Sequence, residues 1–497
     1  MPLENNDFFC DTLPTRPLYR SIGKILVTGA TGYVGGRLVP ELQARGYQTK
    51  IMVRVASPEH FQRWPDSEIV IADAMDLESL KIALKGVYCA YYLIHSLLIE
   101  GASFETAEIQ AAINFRVAAE EAGVQKIIYL GGLGDIKSSL SPHLRSRNEV
   151  AVALSSGKVP ATILRAAIII GSGSASYEVI QHLVKRLPFL LIPYWAKTQC
   201  QPISIRDVIK YLVGVLEHPE TTGKSFDIGG TEILTYKDIF KILADILGKK
   251  MYFLPSPISS ISPYAYVANL ITPVPDAIVM ALLRGTKNKV VCENDEIRRL
   301  IPFKNLSVKE AIVRAMTRED QDNVHTRWSD AYPPAHALAM KLHEVEIAPQ
   351  YLSTCAITTQ KHPAQIFQSI CLIGGKEGWF QSNWMWRSRG MIDRILMGVG
   401  TARGRRSCST LRINDVIDFW RVEDLIPEKR LLLRAEMKLS GRAWLEFMID
   451  EKQDANRLSL TAYYQPRGIF GILYWYMVMP FHYFVFNNLI DQIEKRA

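Results

Sequence analysis

KILVTGATGYVGGRLVPELQARGYQTKIMVR, residues 24–54, decides the fold of the first half of the chain. KILVT (24–28) is a short apolar, β-branched run of the kind buried on both faces of a parallel sheet. The glycine turn Thr28-Gly29-Ala30-Thr31-Gly32-Tyr33-Val34-Gly35 follows, then the helical pattern GGRLVPELQARG (35–46) and a second strand, KIMV (50–53). In such a unit, glycines let backbone N–H groups approach a pyrophosphate, and the helix N-terminus supplies a favourable partial charge. Glycine spacing alone is a weak signal. Set between a strand and a helix, and followed by further strand–helix units, it marks a dinucleotide site.

The same alternation continues outward. EIVIAD (68–73) is a third strand, and DLESLKIALKG (76–86) a helix with Asp76 as N-cap and Gly86 beyond its end. CAYYLI (89–94) and KIIYLGG (126–132) are the fourth and fifth strands, separated by the amphipathic ETAEIQAAINFRVAAEEAG (105–123). VPATILRAAIIIG (159–171) contains a sixth. Strands alternating with helices imply right-handed crossovers and a Rossmann-type doubly wound parallel sheet, class α/β.

Residues 172–330 are less regular, with helix-rich stretches at 201–219 and 235–250, and read as a small substrate subdomain. Five prolines between Leu254 and Pro275 suggest irregular chain covering a cleft. From about residue 340 a separate region carries candidate strands near 351–359, 430–438, 442–450 and 457–464. The expected organisation is a flexible tail (1–22), a Rossmann domain (23–330) and an α+β domain (340–497).

Composition sets limits on function. A chain of 497 residues needs more than one core, and 48% hydrophobic with 22% charged residues is ordinary for a globular protein. A net charge of +8 is mild and gives no case for nucleic acid. The seven cysteines are scattered without a C-x-x-C pair, which reads as free thiols, with neither a disulfide framework nor a metal site. Residues 1–20 lack an apolar core segment, so no secretory signal is expected and a cytosolic location is the default.

The end of the second strand bears on cofactor choice. An NAD site places an acid there to hold the ribose 2′-hydroxyl. This chain has Met52-Val53-Arg54-Val55, with no carboxylate before Glu59. Arg54 is placed to pair with a 2′-phosphate, which favours NADP(H) over NAD, although a surface arginine at a strand end is the plainer reading. Asp73, after the third strand, is placed to accept from the adenine amino group, while Asp76 is more simply a cap.

VTGATGYVGG (27–36), IADAMDLESL (71–80), AYYLIHS (90–96), YLGGLG (129–134) and LRAAIIIGSGSAS (164–176) together resemble the NmrA-like branch of the atypical short-chain dehydrogenases/reductases, over residues 24 to about 325. The resemblance implies NAD(P) binding by Gly29, Thr31, Gly32, Tyr33, Val34, Gly35, Arg54, Asp73, Ala74, Leu93, Gly131 and Arg147. GRRSCSTLRINDVIDFWRVEDL (404–425) and AEMKLSGRAWLEF (435–447) look like a domain of uncharacterised function appended in a bacterial subgroup. Its pattern is similar to the START-like helix-grip fold, a curved sheet wrapping a C-terminal helix around an apolar cavity.

The catalytic set of that superfamily, Tyr-x-x-x-Lys with an upstream serine, is altered here. In Ser141-Pro142-His143-Leu144-Arg145-Ser146-Arg147, His143 falls at the tyrosine position and Arg147 at the lysine position, and Gly131-Gly132 occupies the serine position. Arginine still donates hydrogen bonds to a ribose, and histidine is able to donate a proton to a carbonyl, although a lone histidine in a loop is more often structural. His95, just past the fourth strand, is the other candidate.

Near the C-terminus, seven arginines (387, 389, 394, 403, 405, 406, 412) stand against the single acid Asp393. GIFGILYWYMVMPFHYFVFNNLI (468–490) carries no formal charge and is long enough to span a bilayer. Pro480, His482, Asn487 and Asn488 argue instead for a helix buried in its own domain, with an interfacial anchor as the alternative. Arginine runs are usually solvated, but beside an aromatic helix they suit anionic lipid headgroups and peripheral membrane contact. Two functions stay open: an NADPH-dependent reductase acting on an apolar carbonyl or quinone, and a non-catalytic NADP(H)-binding sensor or membrane scaffold.

Overall fold

The structure is a computed structural model describing residues 8–18, 22–54, 58–94, 102–134, 141–320, 326–331, 342, 345, 349–375, 377–401, 403, 405, 410–451 and 455–497. The chain forms two compact units. Met1–Ala265 with Ala277–Tyr332 makes the first, and Tyr266–Asp276 with Pro333–Ala497 the second.

In the first unit, strands β1 (Lys24–Val27), β2 (Thr49–Val53), β3 (Glu68–Ile71), β4 (Val87–Tyr92), β5 (Lys126–Gly132), β6 (Ala161–Ala166) and β7 (Ser225–Ile228) build the central sheet. The helices between them are α1 (Gly35–Ala44), α2 (Pro58–Arg63), α3 (Leu77–Leu84), α4 (Ala102–Glu121), α5 (Pro142–Ser155), α6 (Ala175–Arg186) and α7 (Ile205–Glu217). The strand order is β7-β6-β5-β4-β1-β2-β3, with every pairing parallel. Period-2 alternation explains the two cores. Ile25 and Val27 pack with Leu38 and Leu42 of α1 and Val208 and Leu212 of α7. Leu26 faces the other way, toward Ala83 of α3 and Phe115 of α4. The order reverses between β1 and β4, which places the ligand crevice at the carboxyl ends of those strands.

Helix ends follow their local chemistry. The Asp76 carboxylate accepts the Glu78 N–H at 3.1 Å, and Gly86 takes a positive φ of 73°. Strand β7 comes from the region expected to be irregular. Residues 8–18, expected as part of a flexible tail, are packed instead. The Glu41 carboxylate accepts the N–H groups of Phe9 (3.1 Å) and Cys10 (3.0 Å). Arg45, in a buried ion pair with Glu217 at 2.5 Å, also donates to the Cys10 and Thr15 carbonyls.

The later part of the first unit holds α8 (Tyr236–Ile246), α10 (Asp276–Gly285), α11 (Glu296–Leu300) and α12 (Val308–Asp320). The proline-rich stretch 254–275, expected as irregular chain, contains helix α9 (Ser262–Ile271), and from Tyr266 onward it belongs to the second unit.

The second unit runs β8 (Tyr351–Thr359), α13 (Pro363–Ile370), α14 (Asn383–Ile395), β9 (Val416–Ile417), β10 (Trp420–Ile426), β11 (Arg430–Ala435), β12 (Gly441–Asp450), β13 (Asn456–Pro466) and α15 (Gly468–Arg496). Its sheet is antiparallel throughout, ordered β8-β13-β12-β11-β10-β9, so the first strand pairs with the last. The arginine run does not form a solvated face. Arg394 and Arg403 are buried, and Arg403 bonds Glu436 at 2.7 Å. Arg421 (2.5 Å) and Arg434 (3.5 Å) complete a cluster on the same carboxylate. Arg389 lies 3.7 Å from Asp393, and Arg405 donates to the Ile373 carbonyl at 2.9 Å. Of the run, Arg387 and Arg412 are exposed among the described residues.

The uncharged stretch is not a helix buried within its domain. Val485, Phe486, Leu489, Ile490 and Ile493 of α15 are buried, whereas Phe470, Leu473, Tyr483 and Phe484 are 75%, 60%, 71% and 69% exposed.

Candidate cofactor and active site

The glycine turn occupies the switch point. Thr28 joins β1 to β4 there, its hydroxyl donating to the Tyr91 carbonyl (3.0 Å) and accepting the Leu93 N–H (2.9 Å). Gly29 has φ 64°, and a Cβ on it would lie 2.5 Å from the Leu93 carbonyl oxygen. A Cβ on Gly35 would lie 2.4 Å from the Gly29 carbonyl oxygen. No side chain fits at either position, so turn, helix start and β4 end close on one another. The turn folds through Gly32 N–H to Gly29 carbonyl (3.0 Å), and the helical ladder starts with Gly36 N–H to Gly32 carbonyl (3.1 Å). The N–H groups just ahead of Gly36 are those of a helix N-terminus, which no helical carbonyl can take. That cradle fits the pyrophosphate of a dinucleotide in shape and in charge.

Residues far along the chain hold the cradle. Arg37 donates to the carbonyls of Tyr33 (3.1 Å), Thr326 (2.9 Å) and Ser172 (2.8 Å), with its guanidinium 4.3 Å over the Tyr33 ring. The Thr326 hydroxyl donates to the Tyr33 carbonyl at 2.9 Å. Sequence reasoning missed both residues, along with Arg63. A Cβ on Gly36 would lie 2.5 Å from Arg63 Nη2, so α2 delivers a second guanidinium to this helix start. Arg54 is exposed at the carboxyl end of β2, next to β1 in the sheet.

The remaining expected contacts fall along the same strand ends. Asp73 is exposed after β3 and closes its own turn, its carboxylate accepting the Met75 N–H at 2.9 Å. Ala74 is buried, its carbonyl accepting from Asn114 at 3.2 Å. Gly131 and Gly132 end β5, and a Cβ on Gly132 would meet Leu144 Cδ2 at 2.9 Å and Arg147 Cγ at 3.9 Å. At the serine position, then, the small residue lets α5 sit close to the strand.

Arg147 and His143 share α5, whose N-cap Ser141 accepts the Leu144 N–H at 3.4 Å. The Arg147 guanidinium donates to the Leu130 carbonyl and lies 5.4 Å from the Tyr129 ring centre. Its Nε is buried without a partner among the described residues. His143 is half-buried on the first turn of α5. Tyr129 does not replace the missing phenol. It is buried in the core beneath α4 and α5, its hydroxyl donates to the Arg147 carbonyl at 3.3 Å, and burial pushes its pKa up. His95 lies outside the described residues.

Comparison with known proteins agrees with this geometry. The family model "NmrA-like family" matches residues 21–295, and a family of unknown function (DUF2867) matches 348–489. The NADH dehydrogenase (ubiquinone) 1 alpha subcomplex subunit 9 of Arabidopsis thaliana mitochondria is 29% identical over 48% of this chain and 62% of its own length. The chloroplastic divinyl chlorophyllide a 8-vinyl-reductase of Oryza sativa subsp. indica is 23% identical over 52% of this chain and 68% of its own. The ceramide reductase of Caulobacter vibrioides is 26% identical over 47% of this chain and 74% of its own. The chain therefore spans less than two thirds of the plant mitochondrial subunit. Glycine cradle, parallel sheet order and a family model covering more than half of the sequence converge: the chain belongs to the NmrA-like family, an NAD(P)-binding branch of the atypical short-chain dehydrogenases/reductases.

Proposed function

We propose that the first unit is an NADPH-preferring reductase of an apolar carbonyl or quinone. The observation that carries this reading is the Arg63 guanidinium set against the α1 start, with Arg54 exposed at the end of β2, the strand end that in this fold faces the ribose 2′ position. A bound nicotinamide would supply hydride. Around it, Gly29 to Gly35 would hold the phosphates, Arg147 would donate to a ribose hydroxyl, and His143 would serve as proton donor. Two relatives act, by name, on chlorophyllide and ceramide, both large apolar molecules, which supports that substrate class. The helix-grip reading of the second unit is supported by its connectivity: one strand, two helices, a five-strand meander and a long helix, with first and last strands paired.

The test follows NADPH absorbance with quinones and with apolar enones and aldehydes. Turnover with any of them supports the reductase. NADPH binding without turnover across the panel favours a second reading, a non-catalytic sensor or scaffold. That reading has its own observation: the Arg147 guanidinium is engaged by the Leu130 carbonyl, and Gly131-Gly132 offers no hydroxyl.

A further inference from the structure

Between Gly468 and Ile490 the sequence has no formal charge, and the first half of α15 presents this apolar run outward. Ile469, Phe470, Leu473, Met477, Phe481 and Phe484 are all more than half exposed. Two other segments of the same unit add to this end. Arg389 Nε lies 3.4 Å from the Tyr474 hydroxyl, and within two turns of α14 Met391, Ile392 and Ile395 are exposed. Arg394 bonds Asn269 at 3.1 Å, beside the partly exposed Val267 and Leu270.

Basic groups surround the start of α15. The Arg467 N–H donates to the Ser440 carbonyl (2.8 Å), and Arg389 donates to the Lys438 carbonyl (2.9 Å), so the β11–β12 turn meets the helix start. Arg387, Lys438 and Arg467 are exposed there. Of the nearby acids, Glu436 is enclosed among arginines, and Asp393 is buried, accepting the Gly400 and Lys438 N–H groups with Arg389 at 3.7 Å. The exposed acids Glu428, Asp450 and Glu451 sit at the opposite ends of the strands.

We propose that this face docks peripherally on an anionic lipid bilayer. An aromatic and aliphatic face rimmed by lysine and arginine matches the acyl–headgroup boundary in polarity and the headgroups in charge. A protein partner would need about one hydrogen bond per 100–200 Å² of interface, and inside its basic rim this face offers little beyond tyrosine hydroxyls. The helix lies on the membrane and does not cross it. Trp475 stacks on Tyr464 at 5.6 Å, and the segment from Val485 to Ile493 covers the sheet, which a hydrocarbon interior cannot accept.

The experiment floats the full chain with vesicles of phosphatidylcholine alone and of phosphatidylcholine with phosphatidylglycerol in equal parts. Binding is expected to be stronger to the anionic vesicles and to be reversed by alkaline carbonate. Replacing both Phe470 and Leu473 with Asp should abolish binding to either vesicle. Lys438→Ala with Arg467→Ala should weaken binding to anionic vesicles by about five-fold per charge removed and leave neutral vesicles unaffected. All four side chains are exposed, so melting curves and NADPH affinity should match the parent. Should the aspartate pair melt lower, the Lys438/Arg467 pair carries the test alone. Three results overturn the proposal: no flotation with either vesicle, association that survives carbonate, or a stable dimer that the aspartate pair converts to monomer.

Discussion

Arg54 and Arg63 reach their positions by different routes, and the proposed 2′-phosphate contact has a measurable consequence. Arg54 follows a strand, whereas Arg63 ends a short helix and also stacks over Trp64 at 4.7 Å. Calorimetric titration of the parent should show tighter binding of NADPH than NADH. Arg54→Glu should lower NADPH affinity by roughly ten- to a hundred-fold, the worth of a charge-assisted hydrogen bond or two, and reverse the order. Equal affinities in the parent would remove the 2′-phosphate assignment. On the proposed reading, His143→Ala should lower turnover by about 10²- to 10⁴-fold with NADPH affinity unchanged. Arg147→Ala should weaken NADPH binding, and parental turnover in His143→Ala would take that side chain out of the chemistry. The place of Arg54, exposed just past β2, was legible because a strand end fixes where its next residue stands. Arg63, Arg37 and Thr326 were not, because their roles depend on packing between segments as much as 289 residues apart.

Elements in the second unit are held by buried charge as well as by apolar contact. Glu436 is buried, which raises its pKa, but Arg421, Arg403 and Arg434 outweigh burial and hold it at about 2. Glu436→Gln leaves three arginines around a neutral amide and should destabilise the unit by about 3–5 kcal/mol, read by thermal melting. Asp418 behaves in the opposite sense. Burial pushes it up to about 6 although the Trp379 indole N–H donates to it at 2.8 Å. A carboxyl whose folded pKa is raised contributes stability that is complete below its unfolded value, about 4, and is lost as pH rises through about 6. Melting temperature should therefore fall across that window, and Asp418→Asn should flatten the fall even while costing a hydrogen bond. An unchanged slope would assign it to other groups, such as Asp207, which burial also raises to about 6. None of this network was legible locally. A run of arginines reads as surface, and its partner Glu436 lies 33 residues beyond Arg403. The strands near 430–438, 442–450 and 457–464 were readable within a few residues of their ends, whereas β9 and β10, which carries Arg421, were not. Strand β7, Ser-Phe-Asp-Ile, escaped because its four residues, unlike the equally short β1, include a serine and an aspartate and carry no apolar run.

At the scale of the molecule, the chain crosses between its two units three times. It leaves the first at Ala265, contributes Tyr266–Asp276 to the second, returns at Ala277 and leaves again after Tyr332. A boundary near residue 340 was readable from the change in pattern, but the excursion was not, since an apolar, proline-rich stretch carries no sign of which core it joins. A single cut cannot separate the units cleanly. Asn269 is fully buried, and it both accepts from the Arg394 guanidinium (3.1 Å) and donates to the Arg394 carbonyl (3.5 Å). A fragment starting at Pro333 would keep a buried arginine that has lost this acceptor. Losing a hydrogen bond to a buried charge costs about 1.5–3 kcal/mol, before any apolar surface is counted. The 333–497 fragment should thus melt well below the corresponding transition of the full chain in differential scanning calorimetry. Asn269→Ala in the full chain should reproduce part of that drop while leaving NADPH affinity at the parental value, because the cradle is built from other residues. If the fragment instead melts with the full chain's transition, Tyr266–Asp276 adds nothing to the second unit, and the boundary is the simple one the sequence suggested.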